Sequence, residues 1–168
     1  MVLQLKTPVF TMLGKIVPEA DAAVIRKSYA EQRIVFTNGC FDILHVGHIR
    51  YLTAAKQLGD ILVVGLNSDD SVRQLKGPDR PINSEADRAE ILAALAAVDH
   101  VVIFQELRVS RLVTLLKPDL YVKGGDYSID SLDRGEVDAL RSVGAEIKIV
   151  PLVPGRSTTR LINAIQKT

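Results

Sequence analysis

The chain has 168 residues, 47% hydrophobic and 24% charged, enough for a single domain that buries a core without disulfide staples. A formal charge of +1 gives no electrostatic case for nucleic-acid binding, and one cysteine, Cys40, excludes a disulfide within the chain. No apolar run reaches membrane-spanning length and the N-terminus lacks a basic-then-apolar signal pattern, so the expectation is a cytoplasmic protein with no membrane partner.

Residues 1–30 read as a helical lead-in, and residues 31–168 as the main domain. Pro8 and Pro18 punctuate the lead-in, and Asp21 can cap a helix running to about Gln32. Arg33–Thr37 reads as the first buried strand, followed by a helix over Gly47–Leu58 with Gly59 as its C-cap. Ile61–Leu66 is a second buried strand, and its continuous apolar character suits a parallel sheet covered on both faces. A short helix toward Gln74 follows, then a Gly/Pro loop over Leu75–Pro81. Asn83 or Ser84 caps a helix through about Ala97, with acidic Glu85 and Asp87 in its first turn. His100–Phe104, Asp119–Lys123 and Glu146–Val150 are three further strands. Helices over Arg108–Leu116 and Asp133–Val143 separate them, and a last helix starts near Ser157. His100 reads as no more than a strand start.

A strand–helix alternation repeated five times implies a Rossmann-like α/β fold, a single doubly wound parallel five-stranded sheet with right-handed crossovers. Ligands of such sheets sit beyond the carboxyl ends of the strands, at the switch point. The polar, Gly-containing turns Asn38–Asp42, Asn67–Asp70, Gly124–Asp126 and Pro154–Thr159 fall at those ends. Neither G-x-G-x-x-G after the first strand nor the P-loop pattern is present, which disfavours the commonest nucleotide sites of this fold class.

The most informative run is Thr37-Asn38-Gly39-Cys40-Phe41-Asp42-Ile43-Leu44-His45-Val46-Gly47-His48, between the first strand and its helix. Two histidines three residues apart, with a glycine between them, open that helix. Imidazoles placed there point with the free N–H groups of the helix start and add to its positive dipole end, which makes a polyphosphate site. Cys40 suits a packed turn better than a nucleophile. No His, Cys and carboxylate cluster has zinc spacing, and no protein metal ligands are expected.

Asn38–Asp42 followed by His45-x-Gly47-His48 resembles the cytidylyltransferase-like nucleotidyltransferase superfamily, whose HxGH motif opens the helix after the first strand. That superfamily also carries a Ser/Thr-rich turn into the last helix, here Arg156-Ser157-Thr158-Thr159-Arg160. Finer matches narrow the resemblance to the heptose 1-phosphate adenylyltransferases. They are Phe36–His45, Val64–Asp69, Leu75-Lys76-Gly77 with Arg80-Pro81, Leu120–Tyr127, and Ser157–Thr159, and they cover roughly residues 30–165. The resemblance implies AMP transfer from ATP to D-glycero-beta-D-manno-heptose 1-phosphate, giving ADP-heptose and pyrophosphate for lipopolysaccharide or related surface heptose. It also implies Mg²⁺ carried mainly by the phosphates, and a homodimer. Like domains are fused to a sugar kinase in many bacteria. The stretch before residue 30 is too short for one, so a free-standing enzyme is expected.

The resemblance also assigns roles. His45 and His48 hold the α- and β-phosphate oxygens and stabilise the pentavalent state, because this chemistry needs positioning and positive charge rather than a covalent intermediate. Lys76 joins them from its loop and reaches the sugar phosphate. Ser157, Thr158 and Thr159 donate to the β/γ-phosphates, using the same donors that cap a helix. Thr37, Asn38, Gly39, Cys40 and Phe41 wall the nucleotide pocket at the strand end. Gly124 and Asp126 lie against the ribose, and Arg88 contacts phosphate. Asp42, Asn67 and Arg80 face the acceptor. Rivals are CMP transfer to glycerol 3-phosphate or another small phosphate, and a non-catalytic nucleotide-binding module. Side chains alone do not choose between ATP and CTP.

Overall fold

Branched apolar runs make the strands of this chain, and capped amphipathic stretches between them make the helices. The computed structural model describes residues 14–125, 129–151 and 158. Its strands are β1 (Ile16–Pro18), β2 (Ile34–Gly39), β3 (Ile61–Asn67), β4 (His100–Phe104), β5 (Leu120–Gly124) and β6 (Glu146–Val150). They form one parallel sheet in the order β1-β4-β3-β2-β5-β6. The helices among the described residues are α1 (Ala22–Ser28), α2 (Val46–Lys56), α3 (Asp69–Lys76), α4 (Glu85–Ala93), α5 (Ser110–Leu116) and α6 (Arg134–Ser142). Short 3-10 turns cover Glu19–Asp21 and Ile129–Ser131.

The α/β doubly wound reading holds, with six strands where the sequence suggested five. The extra strand is β1, which pairs Ile16–Pro18 with Val101–Ile103. Three residues are too few to show a periodicity, and Pro18 is tolerated because β1 is an edge strand. Asp21 makes no capping hydrogen bond, and α1 stops at Ser28 rather than near Gln32. There the Arg26 guanidinium donates to the carbonyls of Tyr29, Ala30 and Gln32, so the chain turns instead of continuing as helix. Gly59 is not a left-handed cap. A Cβ there would sit 2.7 Å from Val35 Cγ2 and 2.8 Å from the Arg33 carbonyl, so close approach to β2 is what requires glycine. His100 opens β4 and pairs its Nε2 with the Tyr29 hydroxyl at 3.0 Å.

Alternation along the strands splits the core over the two faces of the sheet. Ile34, Phe36, Ile61, Val63, Val102, Phe104 and Tyr121 meet α1, α5 and α6 on one face. Val35, Leu62, Val64, Leu66, Val101, Leu120 and Val122 meet α2 and α4 on the other. The strand order reverses between β2 and β5, whose neighbours lead away on opposite sides. Their carboxyl ends therefore border the crevice where this architecture binds ligands.

Candidate active site

His45 has extended backbone and is the N-cap of α2. Its Nδ1 accepts from the Gly47 N–H at 3.1 Å, and the His48 Nδ1 accepts from the His45 N–H at 3.4 Å. Each ring thus satisfies a backbone donor that a helix start leaves orphaned. An accepting Nδ1 puts the ring proton on Nε2, so the donor of each ring is its Nε2–H. The rings stack with centroids 4.0 Å apart, and Phe41 meets His48 edge-on at 5.4 Å. Burial, and then the charge of His45, lower the His48 pKa to about 4. At neutral pH His48 is therefore an uncharged donor. The expectation of rings that add to the positive dipole end gives way, at His48, to a neutral ring aimed by the helix start.

Two neighbours set this arrangement. Phe41 is buried with φ at +44°, a conformation strained for a bulky residue, and its ring lies against Gly39. A Cβ on Gly39 would come within 3.1 Å of that ring, so glycine makes room for the aromatic wall beside His48. One helical turn beyond His48, the buried Tyr51 hydroxyl donates to the Val122 carbonyl at 2.9 Å and pairs with Thr37 Oγ1 at 2.6 Å. Burial pushes the Tyr51 phenol strongly up, so it stays protonated. The phase of α2, and with it the aim of His48, is thereby fixed to the ends of β2 and β5. Sequence reasoning missed Tyr51; its signal was a tyrosine one turn after the second histidine, on the same helix face. Thr37, expected in the pocket wall, is fully buried and spends its hydroxyl on Tyr51.

The next strand-end region carries the expected acceptor residues. Asp42 is buried, and its carboxylate accepts from Arg80 Nε at 2.5 Å, the Ile82 N–H at 2.8 Å and the Asn83 N–H at 3.0 Å. Asn83 also donates to the Asp42 carbonyl at 2.7 Å. Asp42 thus clamps the loop after α3 onto the turn after β2, and Arg80 is its partner. Asn67 is buried and donates to Ser71 Oγ at 2.8 Å, inside the start of α3. Lys76 is the exposed last residue of α3, rather than part of the following loop. Its charge reaches the Cys40 thiol, whose pKa burial raises and Lys76 and Arg88 partly offset.

Arg88 is expected at phosphate, but the structure places its guanidinium in full burial. Its Nη1 donates to the Cys40 carbonyl at 2.6 Å, Nε to the Asn83 carbonyl at 3.0 Å and Nη2 to Asp69 at 2.7 Å. A buried cation needs such partners, and this one braces both strand-end regions together.

The C-terminal motif meets the histidine turn through Thr158, whose hydroxyl donates to the Ile43 carbonyl at 3.2 Å. Ser157, Thr159 and Asp126 lie outside the described residues. Gly124 ends β5, in register with Val150. Beside it, Lys123 Nζ and the Tyr121 hydroxyl both donate to Asn38 Oδ1, at 2.8 and 2.7 Å. Lys123 has a place in the fourth expected strand and in the Leu120–Tyr127 match but no role of its own in the sequence reading; a lysine within an apolar strand was the signal. Among the described residues no group of three or more His, Cys, Asp or Glu side chains is placed to hold a metal ion. Among them, too, no helix is long and apolar enough to cross a membrane.

Residues 36–164 match the cytidylyltransferase-like family. The chain is 54% identical over 132 residues to the Bifunctional protein HldE of Syntrophotalea carbinolica, covering 79% of this chain and 26% of that protein. It is 51% identical over 149 residues to the protein of the same name from Geotalea uraniireducens, covering 88% and 30%. It thus spans between a quarter and a third of these relatives' length. A solved lipopolysaccharide core biosynthesis protein from Thermoplasma volcanium superposes with a TM-score of 0.59 at 34% identity, over 73% of this chain and 97% of that one. A pantoate-beta-alanine ligase from Francisella tularensis, solved with beta-gamma ATP and beta-alanine, shares the fold alone. Its TM-score is 0.54 at 17% identity, over 91% of this chain and 78% of that one.

Proposed function

Because the chain belongs to the cytidylyltransferase-like family, a family of nucleotidyltransferases, we propose that it transfers AMP from ATP to a heptose 1-phosphate, giving ADP-heptose and pyrophosphate. The single observation that carries the chemistry is the pair of stacked histidines at the start of α2, each ring locked through Nδ1 to keep an Nε2–H donor. An oxygen of the sugar phosphate attacks the α-phosphorus of ATP, the bond to the β-bridging oxygen breaks, and pyrophosphate leaves. Charge grows on the α-phosphate oxygens and on the leaving group. Donors held in place beforehand stabilise that charge without reorganising.

The likeness to proteins named HldE and to a lipopolysaccharide core biosynthesis protein supports the heptose reading, as do Leu75-Lys76-Gly77 and Leu120–Tyr127. Mg²⁺ enters with ATP, held by phosphate oxygens and water. Lys76, exposed and near the Cys40 turn, receives the sugar phosphate. Asp42 and Arg80 hold the loop that follows it. The enzyme acts in the cytoplasm as a homodimer.

The test is pyrophosphate release with Mg²⁺ present, crossing ATP and CTP with heptose 1-phosphate and glycerol 3-phosphate. Release with ATP and the heptose alone is the expected result. Release with CTP or with glycerol 3-phosphate would keep the chemistry and replace the substrate. Nucleotide binding without release for any acceptor would favour a binding module.

A further inference from the structure

On the sheet face opposite α2, at the same crevice, Asn38, Tyr121 and Lys123 form a small polar cluster. Asn38 and Tyr121 follow Phe36 on that face, and the Phe36 and Tyr121 rings lie 5.8 Å apart. Asn38 Oδ1 accepts from two donors, the Tyr121 hydroxyl at 2.7 Å and Lys123 Nζ at 2.8 Å. An ammonium has donors only, so it fixes which end of the carboxamide faces it. The Asn38 NH₂ must therefore point away from Lys123, and it has no acceptor among the described residues. Across the strand pair, Gly65 stands opposite Asn38 in register. A Cβ on Gly65 would lie 3.3 Å from Asn38 Cβ and 2.9 Å from the Phe36 ring, so its absence leaves the carboxamide room. Lys123 is half-buried; desolvation lowers its pKa, while Glu136 acts to keep it charged. Two donors converging on one amide oxygen fix the direction of the carboxamide before any ligand arrives, which is what a recognition contact needs.

We propose that Lys123 and Tyr121 are positioning residues that hold the Asn38 carboxamide as a hydrogen-bond donor to the nucleoside part of the bound nucleotide. The inference rests on the nucleotidyl-transfer reading, which places phosphates at His45 and His48 on the other face. A nucleotide that spans the switch crevice from that helix start crosses the ends of β2 and β5 at Gly39 and Gly124. Its nucleoside then meets Asn38 and Lys123. The partner of the amide is an uncharged acceptor, either a ribose oxygen or a base ring atom.

Asn38→Asp separates a ligand contact from a merely structural one. An aspartate still accepts from Lys123 and Tyr121 but has no NH₂ to give. Binding to the full chain is measured by calorimetry for ATP, CTP and inorganic pyrophosphate, with melting curves to establish folding. The expected result is roughly tenfold weaker ATP binding in Asn38→Asp and in Lys123→Met, the scale of one lost hydrogen bond. Pyrophosphate binding stays within about twofold of the wild type. Lys123→Arg, which keeps a cationic donor, recovers part of the loss. Equal losses for ATP and CTP place the acceptor on the ribose, and a loss confined to one nucleotide places it on the base. Unchanged ATP binding in a folded Asn38→Asp chain, or a parallel loss of pyrophosphate binding, overturns the proposal. A wild type that binds ATP without turnover refutes the transfer reading alone, and the binding comparison still decides this one. A wild type that binds no nucleotide refutes both.

Discussion

The turn from Gly39 to His48 and the segment from Lys76 to Asn83 flank the same crevice, yet they are built differently. In the first, every decisive group is committed before any ligand arrives. His45 and His48 cap the helix with their own rings, Phe41 takes a strained backbone to wall them in, and Tyr51 fixes the helix phase. The second is held by a single buried carboxylate that the first extends to it, Asp42, while Lys76 stands exposed at the end of α3. Rigid donors suit a group whose charge changes during reaction. An exposed lysine on a clamped loop suits a group that must arrive, bind and leave. Arg88 joins the two, with the Cys40 carbonyl on one side and the Asn83 carbonyl on the other.

The contrast predicts effects of different kind and size. Replacing His48 by alanine should lower kcat by roughly a hundredfold or more, the scale of losing one donor to a developing charge, with little change in the KM of either substrate. Wild-type turnover in a folded His48→Ala chain would break the assignment of chemistry to the rigid side. Asp42→Ala should come next. It leaves the Arg80 guanidinium and two backbone N–H groups without their partner, at a cost of about 3 kcal/mol in stability by denaturant titration. It should also raise the acceptor KM about tenfold more than the ATP KM, through loss of the loop's place. Equal changes in both would mean that the clamp serves the whole site. Lys76→Ala should raise the acceptor KM several-fold and leave the melting temperature unchanged, since an exposed helix-end lysine contributes little to folding. An unaltered acceptor KM would return Lys76 to the solvated surface.

The rigid side was far more legible in the sequence than the clamped one. Histidines three apart around a glycine, after an apolar strand, announce a helix start, and strand–helix alternation announces the sheet. Neither needs long-range information. Arg88 and Asp42 could not be read that way. Their residue types suit phosphate and acceptor contacts equally well, and only the fold shows that Arg88 lies buried among carbonyls 48 and 5 residues away. The charge state of His48 was not legible for the same reason. Spacing reveals that two rings are neighbours, but burial and the stacking of those rings decide that His48 is neutral. β1 escaped because three residues carry no period.

The smallest expected effect tests that neutrality. The His48 pKa of about 4 lies below the ordinary 6.5, so between these values the unfolded chain binds a proton that the folded chain refuses. The stability contributed by the neutral ring is then complete above pH 6.5 and is lost as pH falls toward 4. Burial lowers the His100 pKa as well, so the wild type loses stability in acid for more than one reason. Comparison with His48→Asn isolates the site. Asparagine can still accept from the His45 N–H but cannot be charged, so the variant's melting temperature should fall less steeply from pH 6.5 to 4 than that of the wild type. Parallel curves would mean that His48 takes its proton as readily when folded as when unfolded. Its ring would then titrate as an ordinary imidazole, and burial at the helix start would not be what keeps the donor on the rigid side neutral.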